Sequence, residues 1–355
     1  MSRFLSQQFA SLTPYTPGEQ PRDQQYVKLN TNESPFPPSP GVLRAVAEES
    51  AQLNLYCDPE CTLLRQAAAE LYGVEPKNVL PVNGSDEALY FTFLAFGDKT
   101  HPFAYPEISY GFYPVFAKLT HVPAREIPLK CGFTVDYEDY LGIKEHIVIA
   151  NPNAPTGVCL SVSEIEQIVR ANPDRVVVID EAYIDFGGES CVPLVNKYDN
   201  LLVIQTFSKS RSLAGARLGF AVGNEELIRD LNTIKYSVNP YNVNRMTQAA
   251  GVAAIQDGAY YAANAQTIIR TRERAAKALE QLGFTVLPSK ANFLFAVSGA
   301  VDGETLYREL KARGVLVRHF TKPSIQNYCR ITIGTDEQMD ILLSRIQEIL
   351  REKGS

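Results

Sequence analysis

The chain has 355 residues, 45% hydrophobic and 21% charged, with 34 lysines and arginines against 40 aspartates and glutamates. This is the composition of an ordinary soluble protein, and it exceeds the roughly 250–300 residues at which one core stops growing, so two domains are expected. A net charge of −6 argues against a nucleic-acid partner, no apolar run reaches the roughly 18 residues of a membrane span, and the polar start does not read as a signal peptide, so a cytoplasmic protein is expected.

Residues 1–40 are rich in Pro, Gln and Ser and lack a sustained period, which reads as an arm. It holds a turn patch, Leu12-Thr13-Pro14-Tyr15, a short alternating strand, Val27 to Asn30, and then Asn32-Glu33-Ser34-Pro35. Gly41 to Leu53 has helical spacing, Tyr56-Cys57-Asp58-Pro59 follows, and Leu64-Arg65 begin another helix. Cys57 and Cys61 form a lone C-x3-C, and the four histidines (101, 121, 146, 319) show no matching cluster, so no metal is expected. The six cysteines read as reduced, mostly buried residues.

Val79 to Val82 is a short strand, Gly84 supplies a turn, and Ser85 and Asp86 begin a helix whose free N–H groups make an anion site. Asp86 is no obstacle to a phosphate if its side chain caps that helix, which is also the simpler reading of the position. Tyr110 and Tyr113 follow another strand end, further strands are expected at 124–128 and 146–150, and the second ends in Asn151-Pro152-Asn153-Ala154-Pro155-Thr156-Gly157. Ser163 and Glu166 have capping-box spacing.

Arg175 to Gly219 organises the rest. Val176 to Asp180 and Leu201 to Thr206 are continuous apolar runs ending in polar residues, the pattern of parallel strands buried on both faces. Ligands of open α/β sheets bind outside the carboxyl ends of such strands. Asp180, Tyr183 and Lys209 are therefore delivered to one crevice. Pyridoxal phosphate needs a lysine amine for its aldehyde and an acid beside its pyridine nitrogen, and Ser208 and Arg217 suit its phosphate. After Gly219 the pattern turns helical at 224–235, 244–256 and about 259–282. It then alternates: strands at 284–287, 293–296, 315–317 and 331–333, with helices at 303–313 and 337–352. That tail reads as a small α+β domain.

Asp180-x-x-Tyr183, then Thr206-Phe207-Ser208-Lys209, then Leu213-Ala-Gly-x-Arg217-x-Gly219 resembles the core of fold-type I pyridoxal-phosphate aminotransferases. The arm motifs, Tyr56-x-Asp58-Pro59, Arg330-Ile-Thr-Ile-Gly334 and Val315-Leu-Val-Arg318 resemble the histidinol-phosphate aminotransferases among them. The resemblance implies an α/β fold: a large domain (41–258) with a mostly parallel mixed sheet flanked by helices, and a small α+β domain (259–355) to which the arm contributes. It implies that Lys209 bonds the cofactor and moves the substrate proton, that Asp180 faces the ring nitrogen, and that Tyr183 holds the phenolate. Ser85, Asp86, Ser208 and Arg217 would serve the phosphate, and Tyr110 would stack on the ring, with Tyr113 as the competitor.

Many relatives carry Asn where this chain has Ala154, and Asn153, one residue earlier, is the candidate replacement; otherwise Tyr183 holds the phenolate with little help. Tyr56 would reach the partner's cofactor phosphate across a homodimer, or pack as a turn tyrosine on its own subunit. Tyr15 and Asn32 would approach the substrate, Arg330 would take its carboxylate, and Arg318 would serve a phosphate or be a surface residue. The implied reaction is transfer of the amino group of histidinol phosphate to 2-oxoglutarate, giving glutamate. The rivals are an aromatic aminotransferase and a decarboxylase of a phosphorylated amino acid. A non-catalytic regulator would need a basic helix-turn-helix, and none precedes the motifs.

Overall fold

The computed structural model describes residues 2–354. Its strands are β1 (Val27–Lys28), β2 (Val79–Val82), β3 (Phe103–Pro106), β4 (Ala124–Ile127), β5 (His146–Ala150), β6 (Val177–Asp180), β7 (Leu201–Thr206), β8 (Gly219–Gly223), β9 (Phe284–Val286), β10 (Phe293–Ser298), β11 (Val315–Leu316), β12 (Arg318–His319) and β13 (Tyr328–Thr332). The helices are α1 (Pro40–Ser50), α2 (Thr62–Tyr72), α3 (Ser85–Phe96), α4 (Tyr113–Leu119), α5 (Val162–Ala171), α6 (Glu225–Val238), α7 (Arg245–Gln256), α8 (Gly258–Gln281), α9 (Gly303–Ala312) and α10 (Asp336–Gly354).

Every residue of β5, β6 and β7 is buried. Their Val, Ile and Leu side chains need cover on both faces, which fixes them in the middle of a sheet with helices on each side. The seven strands run in the order β2-β8-β7-β6-β5-β3-β4, and β8 alone runs against the direction of the other six. One apolar layer packs α1, α2, α5 and α7 on one face of this sheet, and another packs α3, α4 and α6 on the opposite face. Helix α5 shows why. Ile165, Ile168 and Val169 recur at helical spacing and are buried, each stabilising the fold by about 1.5–3 kcal/mol.

A second, antiparallel sheet, β12-β13-β10-β9, is covered by α8, α9 and α10 around its own core. The arm joins this part of the molecule. Strand β1 pairs parallel with β11, matching Val27 to Val315. Glu19 meets Lys311 and Tyr307 on α9, while Tyr15 stacks on Phe112, whose ring belongs to the large-sheet side, at 4.2 Å.

Three local expectations are corrected. The capping box of α5 is Ser161 with Glu164, not Ser163 with Glu166, because Ser161 is the residue held in extended backbone at the helix start. The first long helix starts one residue earlier than expected, where Ser39 Oγ accepts from Val42 N. Strand β8 was not anticipated; it doubles back from Gly219 to fill the gap between β2 and β7. Among the described residues no helix is long and apolar enough to cross a membrane.

Candidate active site

Strands β5, β6 and β7 end side by side, with Ala150 opposite Asp180 and Asp180 opposite Ile204. The side chains just beyond them enclose a cavity of about 220 Å³ against the arm and the second sheet. All the predicted site residues except Asn153 and Tyr56 line it.

Asp180 lies at its floor, only 4% exposed. Its Oδ2 accepts from the Tyr113 hydroxyl at 2.9 Å and its Oδ1 from Ala182 N at 3.2 Å. Burial pushes its carboxyl up to about 6, and the Tyr113 hydrogen bond works against that rise. Tyr113 is fully buried behind the carboxylate. Tyr110, not Tyr113, lines the cavity, with its hydroxyl donating to Asp86 Oδ1 at 2.7 Å.

Lys209 follows the end of β7 and points back across the cavity. Its Nζ donates to the Thr31 carbonyl at 3.3 Å and lies 5.9 Å from the centre of the Tyr183 ring. Desolvation, and after it the positive charge of Arg330, bring the amine down to about 8. Such an amine loses its proton more readily than an ordinary lysine.

At the other end, the first turn of α3 meets the loop that carries Arg217. Gly84 has a positive φ of 80°, and a Cβ there would lie 2.5 Å from Arg217 Nη2. A Cβ on Gly219 would lie 2.6 Å from Ser85 N. These two glycines let helix start, guanidinium and strand close on one another. The free N–H groups of α3, the Ser208 hydroxyl and Arg217 are a donor set for a phosphate. Arg217 Nη2 is 3.2 Å from Asp86 Oδ2, and Ser208 N is fixed by Thr206 Oγ1 at 3.1 Å. Asp86 does not cap the helix as expected; Gly84 occupies the cap position, and the carboxylate is shared between Tyr110 and Arg217.

On the opposite wall, β13 and β12 deliver Arg330 and Arg318 from adjacent strands, paired in register. Arg330 Nη2 donates to the Asn30 carbonyl at 2.9 Å, and its buried Nε has no partner. Arg318 donates to the carbonyls of Thr16 and Pro17 at 3.0 and 3.1 Å. Among the described residues neither arginine has a carboxylate within 4 Å, although most other arginines of the chain do. Tyr15 joins them, and a larger outer chamber of about 470 Å³ opens beyond it.

The class I and II aminotransferase model matches residues 24–346. The chain is 50% identical over 353 residues to a histidinol-phosphate aminotransferase of Brachyspira hyodysenteriae, covering 99% of this chain and all of that one. It is 48% identical to the Acinetobacter baumannii protein of the same name, over 98% of this chain and 97% of that one. The chain belongs to the class I and II aminotransferase family. Its fold is the one these enzymes share. The histidinol-phosphate aminotransferase of Sinorhizobium meliloti, solved in complex with pyridoxal-5'-phosphate, has a TM-score of 0.89 over 99% of both chains at 23% identity.

The residues of this aminotransferase fit that cofactor. The buried acid suits a protonated ring nitrogen, the lowered amine suits an aldehyde, and the cradle at Gly84 and Gly219 suits a phosphate. Asn153 does not line the cavity: its amide donates to the Ile108 carbonyl and Thr156 Oγ1, its oxygen accepts from Ser109, and it is 1% exposed. Its hydrogen-bonding capacity is spent on holding the turn, and Ala154 faces the cavity instead. Asn32 lines the cavity but commits its amide to Tyr183 at 3.0 Å. Tyr56 lies outside, 80% exposed. Sequence reasoning missed the tie from Tyr113 to Asp180 and the role of Thr206; the second was quoted within its motif, the first had no local signal.

Proposed function

We propose that this aminotransferase transfers the amino group of histidinol phosphate to 2-oxoglutarate, yielding imidazole acetol phosphate and glutamate. The observation that carries the reading is the pair of arginines on the cavity wall, Arg330 and Arg318, neither matched by a carboxylate. One site must hold the carboxylate of glutamate and the phosphate ester of histidinol phosphate in turn. Arg330 suffices for a carboxylate through a two-point guanidinium contact. A phosphate has more oxygens and more charge, and Arg318 with the Tyr15 hydroxyl supplies the additional donors. The names of the curated relatives, at 45–50% identity over nearly the whole chain, support the same substrate.

Pyridoxal phosphate, when bound, supplies an aldehyde that bonds the substrate amine and a protonated ring that accepts the electrons released at the substrate Cα. Asp180 would face the ring nitrogen and keep it protonated. Ser85, Ser208 and Arg217 would hold the cofactor's phosphate, and Tyr110, which lines the cavity, would serve its ring. Lys209, with its amine near pKa 8, takes the proton from the substrate Cα and hands it on.

The active unit in this reading is a cytoplasmic homodimer. Tyr56 stacks on Tyr241 with ring centres 4.5 Å apart. Leu53, Leu55, Leu63 and Val238 are also more than half exposed, large apolar side chains of the kind a second copy would cover.

The test is turnover with 2-oxoglutarate and, in turn, histidinol phosphate, phenylalanine and phosphothreonine. The reading expects histidinol phosphate to lead by a wide margin in kcat/KM. A preference for phenylalanine makes the enzyme an aromatic aminotransferase, and carbon dioxide release from phosphothreonine makes it a decarboxylase.

A further inference from the structure

At the cavity wall Asn32 ties Tyr183 to the buried Thr332 behind it through a chain of hydrogen bonds. Asn32 N donates to Thr332 Oγ1 at 2.9 Å. A backbone N–H cannot reverse its role, so the threonine oxygen accepts there. The Thr332 hydroxyl in turn donates to Asn32 Oδ1 at 3.0 Å. With Oδ1 accepting there, Nδ2 faces the Tyr183 hydroxyl and donates to it, also at 3.0 Å. The opposite orientation would point Asn32 Oδ1 at Tyr183 and draw the phenol proton away from the cavity. Asn292 Nδ2 donates to the Asn32 carbonyl at 3.0 Å and holds the turn itself. Asn32, Thr332 and Asn292 are each at most 3% exposed, so water does not compete.

The Tyr183 oxygen therefore accepts on one side and has a single proton left to give. It packs in one cluster with Ala154 and Phe293, which offer no side-chain hydrogen bond. Burial raises the Tyr183 phenol above its ordinary value, so it remains protonated. Thr332 stands two residues from Arg330 on β13, so both side chains leave the same face of the strand.

We propose that Asn32 and Thr332 are positioning residues that aim the Tyr183 proton at the phenolic oxygen of the bound cofactor, a task Ala154 cannot share. The proposal rests on the cofactor reading above. A donor at that oxygen draws charge from it and weakens its hold on the proton of the neighbouring nitrogen. Losing the donor, or its aim, moves the cofactor's absorbance change to higher pH.

The experiment is an absorbance titration of resting, cofactor-loaded enzyme, with no substrate present. Tyr183→Phe is expected to raise the midpoint by about one pH unit or more, and Asn32→Ala and Thr332→Val by about half a unit to one unit, the scale of one aimed hydrogen bond. Thr332→Ser, which keeps the hydroxyl, should titrate near the parent. Asn32→Ala added to Tyr183→Phe should shift nothing further. Two outcomes overturn the proposal alone: Tyr183→Phe moves the midpoint while Thr332→Val and Asn32→Ala do not, or Asn32→Ala shifts equally with and without the phenol. A midpoint unmoved by Tyr183→Phe removes the tyrosine from the cofactor and takes the site reading with it. If Asn32→Ala does not fold, Thr332→Val against Thr332→Ser decides.

Discussion

Arg318→Ala separates the two substrates that share the site. The wild-type guanidinium does two things: it donates to the carbonyls of Thr16 and Pro17, and it adds a second cation beside Arg330. Losing the two arm contacts costs about 1–3 kcal/mol, at about 0.5–1.5 kcal/mol net for each hydrogen bond, and applies equally to both half-reactions. Losing the cation is selective. Two unit charges about 4 Å apart interact by about 4 kcal/mol at an effective dielectric of 20, and the partly exposed rim screens some of that. A loss of about 1.5–3 kcal/mol remains for the phosphate ester, roughly a 10- to 150-fold fall in kcat/KM beyond that seen with glutamate. The assay follows the cofactor absorbance in single-turnover half-reactions, one with histidinol phosphate and one with glutamate. Equal losses, or none, would remove Arg318 from the phosphate site and weaken the substrate assignment.

Asp180→Asn should still bind cofactor but lose about two or more orders of magnitude in turnover, because a charge that stabilises the transition state is gone; near-normal turnover would mean another acid faces the ring. Gly219→Ala should lower stability by about 1–3 kcal/mol and loosen cofactor retention, since its Cβ would sit 2.6 Å from Ser85 N; an unchanged Tm and cofactor Kd would contradict the close approach. Apoprotein should capture the cofactor's aldehyde faster as pH rises, because only the neutral amine attacks, with a midpoint near the value of about 8 for Lys209 rather than 10.5; Arg330→Leu should raise that midpoint, and a rate still climbing beyond pH 10 would refute the lowered amine. Mixing inactive Lys209→Ala with an inactive Tyr56→Ala protein should restore some activity if sites are shared across a dimer, and silence from proven hybrids would place Tyr56 within its own subunit.

The sequence made the central strands legible because burial on both faces leaves no polar alternation in 177–180 and 201–206. Their polar ends then announced the crevice. Strand β8 was hidden because five residues bounded by glycines carry little pattern of their own and follow directly on the Arg217 motif. The capping box slipped by two residues since Ser161–Glu164 and Ser163–Glu166 share one spacing, and only backbone conformation separates them. Asn153 drew attention by its chemical type, yet the turn consumes its amide. Contacts between distant residues left no trace in either neighbourhood: Tyr113 with Asp180, and Asn32 with residue 183 and residue 332.

The pairing of β1 with β11 has a consequence for how the chain is made. Val27 leaves the ribosome almost three hundred residues before its partner Val315. Thr16 and Asn32 wait as long for Arg318 and Thr332. The large sheet, built from residues 79–223, can form while the arm has nothing to join. Contacts of such long sequence separation are slow to close, and domains emerging early fold first. A nascent chain halted near residue 283 would therefore present Lys209 and Asp180 on a folded sheet with one wall of the cavity missing, and cofactor capture should be among the last events of its biogenesis.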